Sequence, residues 1–387
     1  MTKRKITVLG AGIAGLAVSR ALALRGAEVT VVEQAEAVSE VGAGIQISPN
    51  GGVVLRALGL WDQLTERAQL SEGVVLRDYA HGRNVARLNF RSRGSFFLVH
   101  RADLIDVLHQ GALEAGVRIE LGSRVDSVRH RDHAVEMSFA DGAERISDWV
   151  IGADGLHSTV RQTILGVRRP FFTGQVAWRA IIEAPGPLPS EAQIFMGPGR
   201  HLVAYPLRQG KLLNLVAVQE RKTWALEGWT HADDPDRLRE TFADFDGPVP
   251  DWLGRVDQCH IWGLFRHPVA SRWFGRRIAI VGDAAHPTLP FLAQGGCMAL
   301  EDAWVLADAL AASSDWREGC AAYQARRAPR VQQVVHASNG NAWKYHIRNP
   351  LIRTTAHIGL GLLGHLAPGA LLGQYDWLYG HDVTRSQ

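Results

Sequence analysis

Residues 5–33 read KITVLGAGIAGLAVSRALALRGAEVTVVE. An apolar run, KITVL, gives way to GAGIAG, a helical-period stretch follows, and AEVTVVE is strand-like again. Strand, glycine turn, helix and strand make the opening βαβ unit of a doubly wound α/β sheet. The glycines have separable tasks. Gly10 permits the tight turn, Gly12 lets a pyrophosphate approach the backbone, and Gly15 lets the helix pack close to the strand. The helix N-terminus offers N–H groups and the positive end of its dipole to phosphate, worth about 0.3–1 kcal/mol per charge when exposed. Glu33 closes the second strand, where a carboxylate accepts ribose hydroxyls and repels a 2′-phosphate. NADP is thereby excluded at this turn, while NAD and FAD both stay open.

With 387 residues the chain exceeds the size at which single cores stop growing, so two domains are expected. Its 46% apolar and 21% charged residues are ordinary for a soluble globular protein. A net charge of +3 without a lysine-rich stripe argues against nucleic acid as a partner. Three cysteines, Cys259, Cys297 and Cys320, are too few for a disulfide framework or a zinc site, which points to a reduced, cytoplasmic setting without a metal. The basic start and apolar middle of the N-terminus imitate a signal peptide, but the glycine spacing claims that stretch for the nucleotide turn. No uncharged apolar run is long enough for a membrane span. LIRTTAHIGLGLLGHLAPGALLG, 351–373, comes nearest; Arg353, His357, His365 and Pro368 interrupt it, and it reads as a packed C-terminal helix.

Further along, RADLIDVLHQGALEAG carries Leu104, Ile105, Leu108 and Leu113 at helical spacing. DWVIGADGLHSTVR and IAIVGDAAHPTLPFLAQGG each run from a strand into a turn bearing an acid, Asp154 and Asp283. Between them, from about 166 to 270, strand-like runs such as QVAWRAIIEA, HLVAYPLRQG and KLLNLVAVQE alternate with Pro- and Gly-bearing turns, the texture of an antiparallel lobe. MALEDAWVLADALAA and YQARRAPRVQQVVHASNGNAWKYH are long helices. The expected division is 1–70, 96–165 and 271–345 for a discontinuous dinucleotide-binding domain, 71–95 and 166–270 for the β-rich lobe, and 346–387 for a C-terminal helical segment.

GAGIAG, GADGLHSTVR and GDAAHP, in this order, resemble the single-component flavoprotein aromatic hydroxylases, among them the salicylate, 3-hydroxybenzoate and 6-hydroxynicotinate hydroxylases. YDWLYGHDV extends the likeness near the C-terminus. The resemblance implies an α/β fold: a Rossmann-like FAD-binding domain with an inserted antiparallel β-sheet substrate domain and C-terminal helices. It implies FAD as cofactor, NADH or NADPH as co-substrate, and hydroxylation of a phenolic or heteroaromatic acid through a flavin hydroperoxide. Asp283 would hold the ribitol chain, Gly295 and Gly296 would present N–H groups to the isoalloxazine oxygens, Arg101 would lie beside FAD and Val125 against adenine. Asp154, with Gly155 and Arg161, matches the family's shared FAD/NAD(P)H motif and reads equally as a helix cap. Gly10, Gly12, Ala14, Gly15, Glu33, Gln34 and Gln46 complete the cofactor-binding set. His286 reads as ordering its turn and Cys297 as a small helix residue.

On HLVAYPL, His201, Val203 and Tyr205 share one face of a strand, with His201 and Tyr205 about 13 Å apart at about 3.3 Å per residue. The resemblance assigns both to catalysis. A phenol with a pKa near 10 must ionise near pH 7–8, which needs roughly 3–4 kcal/mol of preferential stabilisation. A histidine titrates in the right range to take that proton, so His201 would serve as base or proton relay and Tyr205 would orient the substrate. Arg179 and Arg208 are candidates for a substrate carboxylate. Three departures from the family pattern bear on the substrate: Gln46 in place of a histidine, the apolar Leu289, Pro290 and Phe291, and Ala293 where glycine is common. Competing readings are an FAD-dependent oxidase or dehydrogenase on the same scaffold and a non-catalytic flavin-binding regulator. A tryptophan halogenase lacks support, because no WxWxIP run is present. The expected partner is a small aromatic substrate, and a homodimer is one assembly the sequence allows.

Overall fold

Lys5–Leu9 lies at the centre of a five-stranded parallel sheet in the order Ile278–Ile280, Trp149–Gly152, Lys5–Leu9, Glu28–Val32, Arg118–Glu120. The computed structural model describes residues 4–38, 43–90, 93–167, 169–221, 223 and 231–385. Chain order moves outward to one side of Lys5–Leu9 and then to the other, so the strand order reverses at the pair Lys5–Leu9 and Trp149–Gly152. Parallel strands all end at one edge of the sheet, and such a reversal opens a crevice there. Gly10, Glu33, Asp154 and Asp283 each follow a strand at that edge. This topology brings together motifs separated by hundreds of residues.

Helices Ile13–Ala23, Arg101–Glu114 and Gly295–Ala312 pack on this sheet. Their inward residues, such as Leu16, Val18, Leu104, Leu108, Leu300 and Leu306, are fully buried. Each such side chain contributes about 1.5–3 kcal/mol of burial free energy. Leu113 departs from the helical reading, being substantially exposed near the end of its helix.

The second layer is an eight-stranded sheet in which Gly73–Asp78 and Asn84–Asn89 join the strands of 171–266. It is antiparallel apart from one pair, Glu191–Gly197 with Gly73–Asp78, which runs parallel. A separate core of Trp178, Phe195, Phe242, Phe245 and Trp252 closes its outer face. The helix Pro350–Leu366 corrects one expectation. None of its residues is buried, and Leu351, Ile352, Ile358, Leu362 and Leu366 all stand well exposed, so it is not a packed core helix. Among the described residues no helix is long and apolar enough to cross a membrane, and no cluster of three or more His, Cys, Asp or Glu is placed to hold a metal.

Candidate active site

The crevice at the sheet edge continues beneath the eight-stranded sheet as one cavity of about 910 Å³. That is near the upper end of the roughly 300–1,000 Å³ typical of ligand pockets. Gly10, Gly12, Ala14, Glu33, Gln34, Val125 and Asp154 line one end. Gln46, Arg101, Asp283, Gly295 and Gly296 also line it, and His201 and Tyr205 stand in the wall contributed by the eight-stranded sheet. Of the residues expected at the cofactor or substrate, Gly15, Arg161 and Arg208 do not line it.

The glycine turn shows why each position lacks a side chain. Gly10 has φ +103°, and a Cβ there would fall 2.5 Å from the Ala153 carbonyl oxygen. A Cβ on Gly15 would sit 1.9 Å from the Gly10 carbonyl oxygen, so the helix could not approach the strand. Nothing lies within 4 Å of a Cβ on Gly12, whose backbone faces open space where a phosphate could come close. Glu33 stabilises the turn from the next strand: its carboxylate accepts from Ala11 N at 2.7 Å and Ala35 N at 2.9 Å. Asp154 acts as a cap, Oδ2 accepting from Thr159 N at 2.7 Å and Val160 N at 3.3 Å.

Two helices begin at the cavity, Ile13–Ala23 and Gly295–Ala312. Neither carries a side-chain cap or an acid in its first turn. Their positive ends are therefore available to a bound anion or an electron-rich ring. The Asp283 side chain is exposed to the open cavity, whose walls stand around it. Enclosure pushes its carboxyl above the usual range, opposed by His286, Arg101 and His267.

Beneath this turn lies a charged cluster with no counterpart among the sequence expectations. Asp302 accepts from Gly282 N at 3.0 Å and contacts His286 Nε2, which places His286 as a support of the turn. Arg327 donates to Asp302 at 2.7 Å and to Glu301 at 2.5 Å, and Arg330 donates twice more to Glu301 at 2.8 and 2.7 Å. Burial alone would raise both acids; the two arginines hold Glu301 low, and His286 with Arg327 holds Asp302 low.

At the far wall His201 is only 3% exposed, with Phe291 and Tyr345 ring centroids 6.1 and 5.2 Å away. Burial, and secondarily His346, depress its pKa well below the usual histidine value of 6.5. It is therefore neutral and able to accept a proton at pH 7, though not by titrating near neutrality as the sequence suggested. His346 is depressed too, chiefly by burial. The unfolded chain binds protons at these rings near 6.5 and the folded chain does not, so their contribution is complete above that pH and lost below it. Urea midpoints are expected to fall between pH 7.5 and 5.5, and midpoints that stay level would contradict neutral burial.

Tyr205 is buried as a neutral phenol, its pKa raised by burial and opposed slightly by Arg179. The Arg179 guanidinium lies 4.8 Å from the centre of the Trp262 ring in the same wall. Arg208 faces elsewhere, paired with Asp103 at 3.0 and 2.8 Å. Gly44 makes room for Tyr205, since a Cβ there would meet its Cε2 at 2.4 Å. Gly44→Ala is expected to cost about 1–3 kcal/mol of stability and to raise KM by displacing Tyr205, with flavin retained. Thermal melting and steady-state kinetics check both.

Sequence comparison agrees with this geometry. The family model described as "FAD binding domain" matches residues 3–338. The chain is 35% identical to a 3-amino-4-hydroxybenzoate 2-monooxygenase of Streptomyces platensis, covering 98% of this chain and 96% of that protein. It is 33% identical to the 3-hydroxybenzoate 6-hydroxylase of Klebsiella oxytoca, over 88% of each. The chain belongs to the FAD-dependent aromatic monooxygenases. Among solved structures, Klebsiella pneumoniae HpxO complexed with FAD and uric acid superposes on the monooxygenase with a TM-score of 0.82, at 26% identity over 93% of each chain. FAD fits the residues present: an unobstructed Gly12 backbone, two uncapped helix ends and a carboxylate between them. His346, Glu220 and Lys344, which sequence reading passed over, border or back the substrate end of this monooxygenase. Lys344 and His346 stand in KYH at the end of a long helical run, and Glu220 ends the strand-like run KLLNLVAVQE.

Proposed function

We propose that the protein hydroxylates a phenolic or heteroaromatic acid, using O2 and NADH or NADPH. The observation that carries this reading is the junction, in one cavity, of the flavin-side turn with a wall bearing His201, Tyr205 and Arg179. Bound FAD, once reduced, supplies the oxygen-activating chemistry. The chain's own residues bind, orient and handle the proton. Arg179 offers a positive charge to the substrate's carboxylate or phenolate, Tyr205 donates its O–H to position the ring, and His201 accepts the hydroxyl proton. Leu289, Phe291 and Trp262 give that end apolar walls suited to an aromatic ring and poor in water. The named relatives act on amino- and hydroxybenzoates, which supports the same class here.

On the cofactor side, Asp283 accepts ribitol hydroxyls and Glu33 accepts ribose hydroxyls with the lone pairs left by Ala11 and Ala35. A hydrogen bond to a charged group is worth about 1.5–3 kcal/mol, so Asp283→Ala should weaken FAD binding about ten- to a hundredfold and yield largely colourless protein. Absorbance at 450 nm after gel filtration measures it; full flavin retention would remove the ribitol role.

The function is tested by mixing purified yellow protein with hydroxybenzoates and hydroxypyridines and following NADH and NADPH oxidation with product mass. Stimulated oxidation with one oxygen added to the aromatic supports the proposal. Substrate-driven peroxide without nicotinamide would favour an oxidase, and no response at all a non-catalytic flavoprotein.

A further inference from the structure

His201 does not end at the cavity wall. Its Nδ1 lies 2.7 Å from His346 Nε2, and His346 Nδ1 lies 3.1 Å from Glu220 Oε1. Arg348 holds the other carboxylate oxygen, at 3.0 and 2.6 Å. Exposure rises along this line: both imidazoles are buried, while the Glu220 side chain is 33% exposed. The chain thus runs from the cavity to the surface across the strands Arg200–Leu207 and Leu212–Glu220 and the end of the helix Trp316–Tyr345.

Hydrogen-bond chemistry fixes its protons by elimination. An ionised carboxylate only accepts, so His346 offers Nδ1–H to Glu220 and keeps Nε2 as a lone pair. His201 must then donate its Nδ1–H to that lone pair, and its own Nε2 is left as an acceptor. A surface carboxylate therefore sets the tautomer of a buried ring one imidazole away.

Resting on the functional reading above, we infer that His201, His346 and Glu220 form a proton relay carrying the substrate's hydroxyl proton from the cavity to solvent. The substrate O–H bond breaks and its proton forms Nε2–H on His201. The Nδ1 proton of His201 moves to Nε2 of His346, the Nδ1 proton of His346 moves to Oε1 of Glu220, and the carboxylic acid gives a proton to water. Nothing is oxidised or reduced, and neither ring is left charged. Both rings finish as the opposite tautomer. The same transfers in reverse, beginning with a proton from water at Glu220, deliver a proton to an oxygen in the cavity and restore them.

The relay resolves an energetic conflict. A lone buried imidazole that resists protonation would not keep a proton drawn from a phenol with a pKa near 10. Passing the proton outward sets the equilibrium by bulk pH against the bound phenol, about 1.4 kcal/mol per pH unit, and His201 never carries charge. Among the described residues, the other titratable or charged groups against the chain are Tyr345 beside His201 and Arg348 on Glu220. Arg200, next along the strand, is occupied by Asp244 and the Thr241 carbonyl.

The experiment uses the FAD-loaded full chain without nicotinamide, mixed with 3-hydroxybenzoate or 3-amino-4-hydroxybenzoate in weak buffer with a pH indicator. In the wild type, binding at pH 8 should release a proton in a fast phase as phenolate absorbance appears. Glu220→Gln and His346→Gly should slow that release at least tenfold, with flavin content and ligand affinity at pH 10 within twofold of wild type. Added imidazole should restore the rate in His346→Gly. Release at the wild-type rate in both variants overturns the relay and leaves the functional reading standing. If the wild type binds no phenolic acid and oxidises no nicotinamide in response to one, both fall. Because His346 is buried and its variant could misfold, nitrogen chemical shifts of the histidine rings in the wild type give a second test. Nδ1 should be protonated on both His201 and His346 from pH 7 to 9, and the reverse tautomers would overturn the relay.

Discussion

His201→Ala should lower kcat for hydroxylation about 10²- to 10⁴-fold, the span usual for loss of a positioned general base. The wall around it should survive. His201 is the second residue of the strand Arg200–Leu207, paired with Met196 on one side and Val218 on the other, and those backbone bonds do not depend on the ring. FAD should stay bound, because the residues proposed to hold it come from the carboxyl edge of the parallel sheet and the start of Gly295–Ala312. The pH profile is the sharper readout. Without a base, only substrate that is already ionised reacts, so the variant's rate should climb about tenfold per pH unit toward the phenol's own pKa. A variant with flat turnover from pH 6 to 9 would remove His201 from proton transfer. Equal loss of flavin and activity would instead make it a structural residue.

The cofactor end was legible in the sequence and the substrate end only partly, for a physical reason. A pyrophosphate turn is local: Gly10, Gly12 and Gly15 act within one strand–helix unit, so spacing alone encodes their tasks. Asp154 and Asp283 follow strands of the same sheet, and parallel topology guarantees that such ends meet. The His201 relay has no such guarantee. Glu220 and His346 are 126 residues apart and meet only because a helix end packs over a strand end, which no period in either segment announces. Arg179 and Arg208 were equal candidates until strand register turned one toward the cavity and left the other with Asp103. For 351–373 the apolar pattern identified a helix, but a pattern states which face is apolar and not whether anything covers it.

Arg327→Met should destabilise the fold by about 3–5 kcal/mol, the usual consequence of removing one partner from a buried ion cluster. Against a total of about 5–15 kcal/mol for a folded protein, that is a severe loss. Glu301 and Asp302 are both at 0% exposure, and Arg327 is the one residue in ion-pair contact with both among the described residues. Its removal leaves Glu301 with Arg330 and Asn50, whereas Asp302 keeps only the Gly282 amide and His286. The deficit therefore falls on the acid that holds the turn carrying Asp283. Flavin affinity should drop along with stability, although Arg327 does not line the cavity. Acid should narrow the deficit relative to wild type, because protonating Asp302 relieves the very charge left unpaired, whereas the wild type loses its paired carboxylate. Urea unfolding of the FAD-loaded variant at pH 7.5, beside FAD titration of the apoprotein, measures both effects. A loss under 1 kcal/mol would mean that Asp302 does not depend on the guanidinium. Asp302→Asn placed in the Arg327→Met background tests the cause: it should recover stability if the orphaned charge is responsible, and a further loss would show that the carboxylate is still well partnered.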